Sequence, residues 1–232
     1  MSLFTLAFRE DEGPSCSFGP DERLDAAVQL MSTIGDADAE GVVVLPAGYV
    51  TAASAAKRDE WAEVLAASSR NAGVGVVFGI DVDEAQAAWG MERCPRSFAY
   101  ACDRGRRLLW AAAPTGRTSL LDERTVTIGA LRMTVLFARE LFGARSTAAV
   151  ETARPELVVV LGHAGPTKRW LDPLAALDEL APTLVVHQAL PVCRPVAVPP
   201  PRGWRPTASR GAVRVVAYRR EADGAAARDV GN

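Results

Sequence analysis

The sequence predicts a single α/β domain in which helices lie outside a mixed β-sheet. Short, unbroken apolar runs are typical of strands that are buried on both faces. Two amphipathic helical stretches alternate with the early runs, and turn signals in the middle of the chain join strands into hairpins. Strands followed by helices, and then hairpins, favour a mixed sheet with outer helices. The 232 residues fit one domain of this class.

The N-terminal half alternates strands and helices. Strands are predicted over residues 3–8, 41–45 and 74–78, because each is a short apolar run. A helix over 21–34 places Leu24, Ala27, Val28 and Met31 on one face, and a helix over 54–71 does the same with Trp61, Val64, Leu65 and Ser68.

The second half begins with two predicted hairpins. Asp103-Arg-Gly105 joins strands over 97–101 and 107–112, and Gly129 joins strands over 125–127 and 131–136. The remaining predicted elements are helices over 138–151 and 171–180 and strands over 156–161, 183–187 and 212–218. We predict one domain over residues 1–220 and a small, polar, frayed tail over 221–232.

Composition argues against several classes of partner. The formal net charge of -2 provides no basic field for nucleic acid or an anionic membrane. The apolar runs are far shorter than the ~20 residues of a membrane span. The N-terminus has no positive region before its apolar run, so it predicts a strand instead of a signal peptide. The four cysteines form no Cys-x-x-Cys pair, and we expect reduced thiols and a cytoplasmic protein.

Several spaced segments resemble the carbon–nitrogen hydrolase family, the nitrilases and amidases. Gly41-Val-Val-Val-Leu-Pro46 and Ala72-Gly-Val-Gly-Val-Val-Phe-Gly79 resemble its opening, and Pro155-Glu-Leu-Val-Val-Val-Leu161 and Thr183-Leu-Val-Val-His187 resemble later strands. The similarity covers about residues 3–190, and the C-terminal part departs from the family and is shortened. It implies a four-layer α-β-β-α sandwich with two mixed sheets packed face to face.

The resemblance also implies where the catalytic groups of the family belong. That family uses a cysteine nucleophile, a glutamate base and a lysine that stabilises the oxyanion. Ala47 stands at the glutamate position, Ala112 at the lysine position and Phe137 at the cysteine position, with Leu136 as the alternative alignment for the cysteine. None of these side chains can attack a carbonyl, accept a proton or hold an oxyanion.

The loss of all three groups predicts a nitrilase-like pseudoenzyme that binds a small molecule or a partner protein. The resemblance implies a homodimer through residues 137–155. Another hypothesis is a purely structural subunit that stabilises a related active protein as a heteromer. The alternative is an active amidase-type hydrolase with a relocated site, which would use His163 and another nucleophile.

Four residues are candidates for a pocket. His163 follows the strand over 156–161, and strand ends face the site in such folds, although a loop histidine with one backbone hydrogen bond is the simpler interpretation. Glu140, next to Arg139, either faces the old pocket or pairs with an arginine on the helix surface. Trp170 lies in a segment that resembles the family, and it also suits the core. No residue set has metal-ligand spacing, so we expect neither a metal nor a cofactor.

Overall fold

The computed structural model describes residues 2–8, 19–37, 40–82, 96–112, 124–163, 166–187, 199–210 and 213–220. The helices and strands of these residues are, in chain order, β1 Ser2–Phe8, α1 Pro20–Ala37, β2 Val42–Val44, β3 Val50–Ala52, α2 Ala55–Ala72, β4 Gly75–Val82, β5 Arg96–Asp103, β6 Arg106–Ala112, β7 Thr125–Ile128, β8 Leu131–Phe137, α3 Ala144–Ala153, β9 Leu157–Gly162, α4 Leu171–Leu180, β10 Thr183–His187, β11 Trp204–Arg210 and β12 Val213–Arg220. Short 3-10 helices cover Ala138–Phe142 and Lys168–Trp170.

The strands form two mixed sheets. The larger sheet has the order β11-β12-β1-β2-β4-β5-β6, and β3 also pairs with β4. Its central strands β1, β2 and β4 are parallel, whereas β12, β5 and β6 are antiparallel to their neighbours. The smaller sheet has the order β10-β9-β8-β7, in which only β7 is antiparallel to its neighbour.

Three apolar cores show how the layers stack. One core of the described residues lies between the two sheets and takes side chains from both of them. A second core lies between the larger sheet and helices α1 and α2, and a third lies between the smaller sheet and helices α3 and α4. Every residue of β4 and β9 is buried, as the unbroken apolar runs predicted. The four-layer α-β-β-α sandwich is therefore confirmed.

The prediction of which side chains of α2 face the core was partly wrong. Trp61 and Leu65 are buried as expected, but Val64 is 37% exposed. Ala62 and Ala66 are buried in its place. Their methyl groups are small, so the helix can lie close to the sheet with that side inward.

The structure also departs from the predicted elements in three other places. The helix predicted over 138–151 is divided at Gly143 into a 3-10 helix and α3. Strands β3 and β11 were not predicted, because β3 has only three residues and β11 contains Pro206. Pro206 is tolerated because β11 is an edge strand whose pairing with β12 shifts register there.

The tail predicted over residues 221–232 lies outside the residues that the structure describes. Among the helices in the described ranges, none is long and apolar enough to cross a membrane.

Candidate functional site

Three polar side chains meet at one end of the core between the sheets. Asp81 is in β4, Ser97 is in β5, and His163 directly follows β9. Asp81 and Ser97 each lie an even number of residues from an apolar side chain of that core on the same strand, and His163 lies two residues beyond one in β9, so the alternation of the strands directs all three to the same core. Those core side chains are Val77, Ala99 and Leu161.

The imidazole of His163 holds this cluster together. Its Nε2 atom lies 3.0 Å from Oδ1 and 2.8 Å from Oδ2 of Asp81, and 3.1 Å from Oγ of Ser97. The side chain of Asp81 is 5% exposed, whereas that of His163 is 44% exposed. A buried carboxylate needs hydrogen-bond donors, and the imidazole supplies one from the solvent side.

This arrangement differs from the serine–histidine–aspartate relay of hydrolases. In that relay the serine and the aspartate contact opposite nitrogens of the imidazole. Here Ser97 and Asp81 both contact Nε2 of His163. The nitrogen that would have to remove the proton of Ser97 is therefore already engaged with the carboxylate.

Two glycines allow the backbone between β2 and β3 to form one wall of the site. A Cβ atom at Gly79 would lie 2.6 Å from Cα of Ala47, so only a glycine lets the two segments approach. Gly48 has a φ of 58°, and a Cβ atom there would lie 2.5 Å from Oδ2 of Asp81 and 2.9 Å from Cδ2 of His163. The segment that contains Ala47 thus packs directly against the carboxylate and the imidazole.

Tyr49 ties this wall to helix α1. Burial raises the pKa of the Tyr49 phenol, so the hydroxyl stays protonated. It donates a hydrogen bond of 2.7 Å to the carbonyl oxygen of Arg23, whose guanidinium donates one of 3.3 Å to the carbonyl oxygen of Tyr49. This reciprocal pair fixes the position of the segment next to the site.

A second polar cluster joins the ends of β6 and β8. Nη1 of Arg124 lies 2.7 Å from Oε2 of Glu140, and the two side chains are 3% and 5% exposed. Nη2 of Arg124 donates a hydrogen bond of 3.2 Å to the carbonyl oxygen of Ala112, and the backbone N–H of Phe137 donates one of 2.8 Å to Oε2 of Glu140. The guanidinium also lies 5.2 Å from the centre of the Phe137 ring.

The three positions that the resemblance assigned to catalysis lie at strand ends. Ala47 follows β2 closely, Ala112 is the last residue of β6 and Phe137 is the last residue of β8. Ala47 and Phe137 belong to the core between the sheets, with 0% and 2% exposure. Ala112 and Phe137 are connected through the pair of Arg124 and Glu140.

The other pocket candidates lie in different surroundings. Glu140 pairs with an arginine, which was one of its two interpretations, but the pair is buried and does not lie on a helix surface. Arg139 is exposed, and Trp170 packs against the core beneath α3 and α4. Of the four candidates, His163 is the one in the cluster with Asp81.

Asp81, Ser97 and Arg124 were not identified from the sequence. The signal for Asp81 was present, because a carboxylate near the carboxyl end of a buried strand is typical of a ligand site. Its partners are distant in sequence, so only the fold reveals the cluster. Within the described ranges, no three His, Cys, Asp or Glu side chains come close enough to hold a metal ion.

Comparison with known proteins agrees with this architecture. No protein-family model and no curated protein matches the sequence. Among solved structures, a cysteine-to-alanine mutant of the Nesterenkonia sp. AN1 amidase, from the nitrilase superfamily, matches with a TM-score of 0.61 and 14% identity over 94% of this chain and 89% of that one. The same amidase after tag removal matches with a TM-score of 0.61 and 14% identity over 94% and 91%.

A third match is a mutant of that amidase that carries acrylamide on its active-site cysteine. Its TM-score is 0.58, with 14% identity over 81% of this chain and 78% of that one. At this identity the similarity establishes the fold. The chain therefore has the carbon–nitrogen hydrolase fold, and the resemblance read from the spaced segments is confirmed at that level.

Proposed function

We propose that this protein binds a small molecule on a nitrilase-like fold without the cysteine-dependent amide hydrolysis of that fold. The observation that carries the proposal is the buried ring of Phe137 at the end of β8. By resemblance, the nucleophilic cysteine belongs at this position. A phenylalanine cannot form a thioester, and the loss of a nucleophile costs hydrolases on the order of 10⁶-fold in kcat.

The surroundings of Phe137 support the same conclusion. Protein interiors are close-packed, so the ring occupies the space that an acyl intermediate at this position would need. Ala47, also fully buried, offers no proton acceptor. The nearby cation, Arg124, already donates to Glu140 and to the carbonyl oxygen of Ala112. Because its charge is already paired with the buried carboxylate of Glu140, it offers little net positive charge to a new oxyanion.

The half-exposed imidazole of His163 is the group that can meet a ligand. It lies at the end of the core between the sheets, where Asp81 and Ser97 orient it. A cysteine-to-alanine mutant of the Nesterenkonia amidase has been observed in complex with butyramide. Because the folds match, we take small amides as the first ligand class to examine for this chain.

Thermal denaturation with propionamide, butyramide and acrylamide, followed by an assay for released ammonia, tests this function. We expect at least one amide to raise the Tm, because a ligand that binds only the folded state must stabilise it. We expect no ammonia above that released by an unrelated protein. Catalytic release of ammonia would overturn the proposal, and an unchanged Tm with all three amides would remove its ligand-binding part.

The cluster at His163 favours a second candidate, a hydrolase with a relocated site. Because Ser97 and Asp81 share Nε2 of the imidazole, the nucleophile here would be a water molecule activated by Nδ1 and not the serine. This candidate requires ammonia release that is abolished by His163→Gln and retained by His187→Gln, which changes the other histidine of the chain. No release from the unmodified protein excludes it for the amides tested.

We also propose that the protein assembles as a homodimer through residues 137–155. Phe142 in this segment is 55% exposed, the highest exposure among the large apolar side chains of the described residues. Light scattering on the purified protein should give twice the mass of the 24.6 kDa chain. Phe142→Asp should shift the mass to that of one chain. A monomer at all concentrations, or co-purification with a related active protein, would contradict the homodimer.

A further inference from the structure

We infer that His163 selects ligands that carry an N–H or O–H donor, because Asp81 holds the imidazole proton on Nε2 and leaves Nδ1 as an outward-facing acceptor. The inference rests on the proposed function, since it names the ligand class of the same site. It depends on three observations: the contacts at Nε2, the packing of Cδ2 against Gly48, and the 44% exposure of the side chain.

The contacts at Nε2 determine which nitrogen carries the proton. Both carboxylate oxygens of Asp81 lie within hydrogen-bond distance of Nε2, at 3.0 Å and 2.8 Å. Two similar distances are expected when an N–H points between the oxygens of an ionised carboxylate, which has no hydrogen to donate. A carboxylic acid would instead present its single O–H to the nitrogen. When the His163 ring is neutral, its proton is therefore on Nε2 and the lone pair is on Nδ1.

The packing around the ring determines where Nδ1 points. Nε2 faces Asp81 and Ser97, and the neighbouring Cδ2 lies against Gly48, where an added Cβ would be 2.9 Å away. The Nε2–Cδ2 edge is thus the buried edge. The 44% exposure of the side chain must come mainly from the opposite edge, which contains Nδ1. No residue in the described ranges hydrogen-bonds to Nδ1.

A neutral imidazole in this state accepts one hydrogen bond from a ligand. Primary amides, ureas and alcohols have the required donor, whereas an N,N-dialkyl amide has none and would leave Nδ1 unpaired on binding. Because an unpaired polar group at a binding site lowers affinity, we expect primary amides to bind at least about tenfold more tightly than their dialkyl analogues.

Nuclear magnetic resonance of the protein labelled with ¹⁵N-histidine tests the inference on the unmodified chain. Only two histidines contribute, and His187→Gln assigns the signals of His163. We expect long-range ¹H–¹⁵N correlations to show the neutral ring of His163 protonated on Nε2. Propionamide should shift the Nδ1 signal. N,N-dimethylpropionamide should bind about tenfold more weakly or more, and it should leave that signal in place.

A variant links the selectivity to the carboxylate. Asp81→Asn removes the charge that fixes the tautomer, so the preference for Nε2 protonation and the advantage of propionamide should both shrink. Asp172→Asn, at an exposed position of α4, is the matched control and should change neither. If Asp81→Asn does not fold, the tautomer and the two affinities measured on the unmodified protein still decide the inference.

The outcomes separate this inference from the proposed function. A proton on Nδ1, or equal affinity for the two amides, overturns the donor selection while ligand binding itself stands. If neither amide binds, the donor selection fails, and the ligand-binding part of the proposed function fails as well when butyramide and acrylamide also leave the Tm unchanged. Ammonia release from propionamide would overturn the absence of turnover and would leave the tautomer measurement valid.

Discussion

The two polar clusters at the ends of the strands differ in how completely they are enclosed. Arg124 and Glu140 bury both charges, and their side chains contact each other and the backbone at Ala112 and Phe137. Asp81 is buried equally well, but its partner His163 is nearly half exposed. The first cluster presents almost no surface to a ligand, whereas the second leaves part of the imidazole exposed. The degree of burial therefore distinguishes a structural ion pair from a candidate ligand site, although both clusters lie where the resemblance places catalysis.

The largest effect should follow from breaking the enclosed pair. Glu140→Ala leaves the guanidinium of Arg124 buried without its carboxylate, and removal of one partner of a buried pair costs about 3–5 kcal/mol of unfolding free energy. Denaturation by urea, monitored by circular dichroism, measures this loss.

A matched control and a double variant complete this test. Glu63→Ala breaks an exposed pair with Arg107 and should cost less than about 1 kcal/mol. Arg124→Met combined with Glu140→Leu should recover part of the loss, since apolar residues of similar volume can replace a buried ion pair. The recovery should be incomplete because the carbonyl of Ala112 and the N–H of Phe137 lose their side-chain partners. If Glu140→Ala costs no more than Glu63→Ala, the enclosed pair does not hold the two sheets together.

The second largest effect should follow from crowding the half-open cluster. Gly48 and Gly129 both have a φ of 58°, so alanine is strained equally at the two positions. A Cβ at Gly129 meets nothing within 4 Å, whereas one at Gly48 meets Asp81 and His163. We expect Gly129→Ala to cost about 1–2 kcal/mol and Gly48→Ala about 1–3 kcal/mol more.

The difference between the two glycine variants is the informative quantity, and it is measured by urea denaturation of both. Gly48→Ala should also abolish the effect of propionamide on the Tm, because it displaces the imidazole. Equal losses of stability would show that the segment over the site can move aside without cost.

The sequence predicted the strands well where an apolar run ended at a clear stop. The helix over 171–180 and the strand over 183–187 have the predicted bounds, and the buried strands were recognised by composition alone. The strand over 74–78 ends four residues too early, because Gly79 looks like a strand terminus. In the structure Gly79 continues β4 and leaves space for Ala47, so Asp81 lies inside the strand.

The site itself was only partly predictable, because its side chains come from distant parts of the sequence. His163 could be chosen because it directly follows a recognisable strand. Asp81 and Ser97 are 82 and 66 residues away from it in the sequence. Their proximity depends on the register of β4 with β5 and on how the two sheets pack. No local pattern in a single sequence contains that information.

Cys102 provides a third test, on the face of β5 opposite to Ser97. Burial in the core beneath α2 raises the pKa of its thiol to about 11. Relative to an ordinary cysteine, the thiolate fraction at pH 8 falls by about two orders of magnitude, and the thiolate is the reactive form. Alkylation of Cys102 by iodoacetamide should be correspondingly slow in the folded protein and fast in urea, as measured by peptide mass spectrometry. Rapid labelling of the folded protein would show that this layer opens readily.

The smallest effect concerns Glu156, a partly exposed acid that contrasts with Glu140. The backbone N–H of Arg132, which donates to Oε2 at 3.1 Å, and the guanidinium of Arg220, 2.9 Å from Oε1, lower its pKa. Because the pKa is lower in the folded state, the stabilisation is present above the unfolded value of about 4.3 and is lost as the pH falls through the folded value. Glu156→Gln should therefore reduce the decrease in unfolding free energy between about pH 5 and pH 3. The reduction should be less than about 1 kcal/mol because solvent screens the group.

Arg220→Gln distinguishes the two causes of this shift. The backbone hydrogen bond from Arg132 is the larger cause, so Arg220→Gln should leave most of the pH dependence that Glu156→Gln removes. Urea denaturation from pH 3 to pH 6 gives the dependence of stability on pH for the unmodified protein, Glu156→Gln and Arg220→Gln. If Arg220→Gln removes as much as Glu156→Gln, the exposed ion pair dominates. An ion pair open to solvent would then contribute more to the pH dependence of stability than a backbone hydrogen bond does. The contrast with the enclosed pair of Arg124 and Glu140 leads us to expect the opposite.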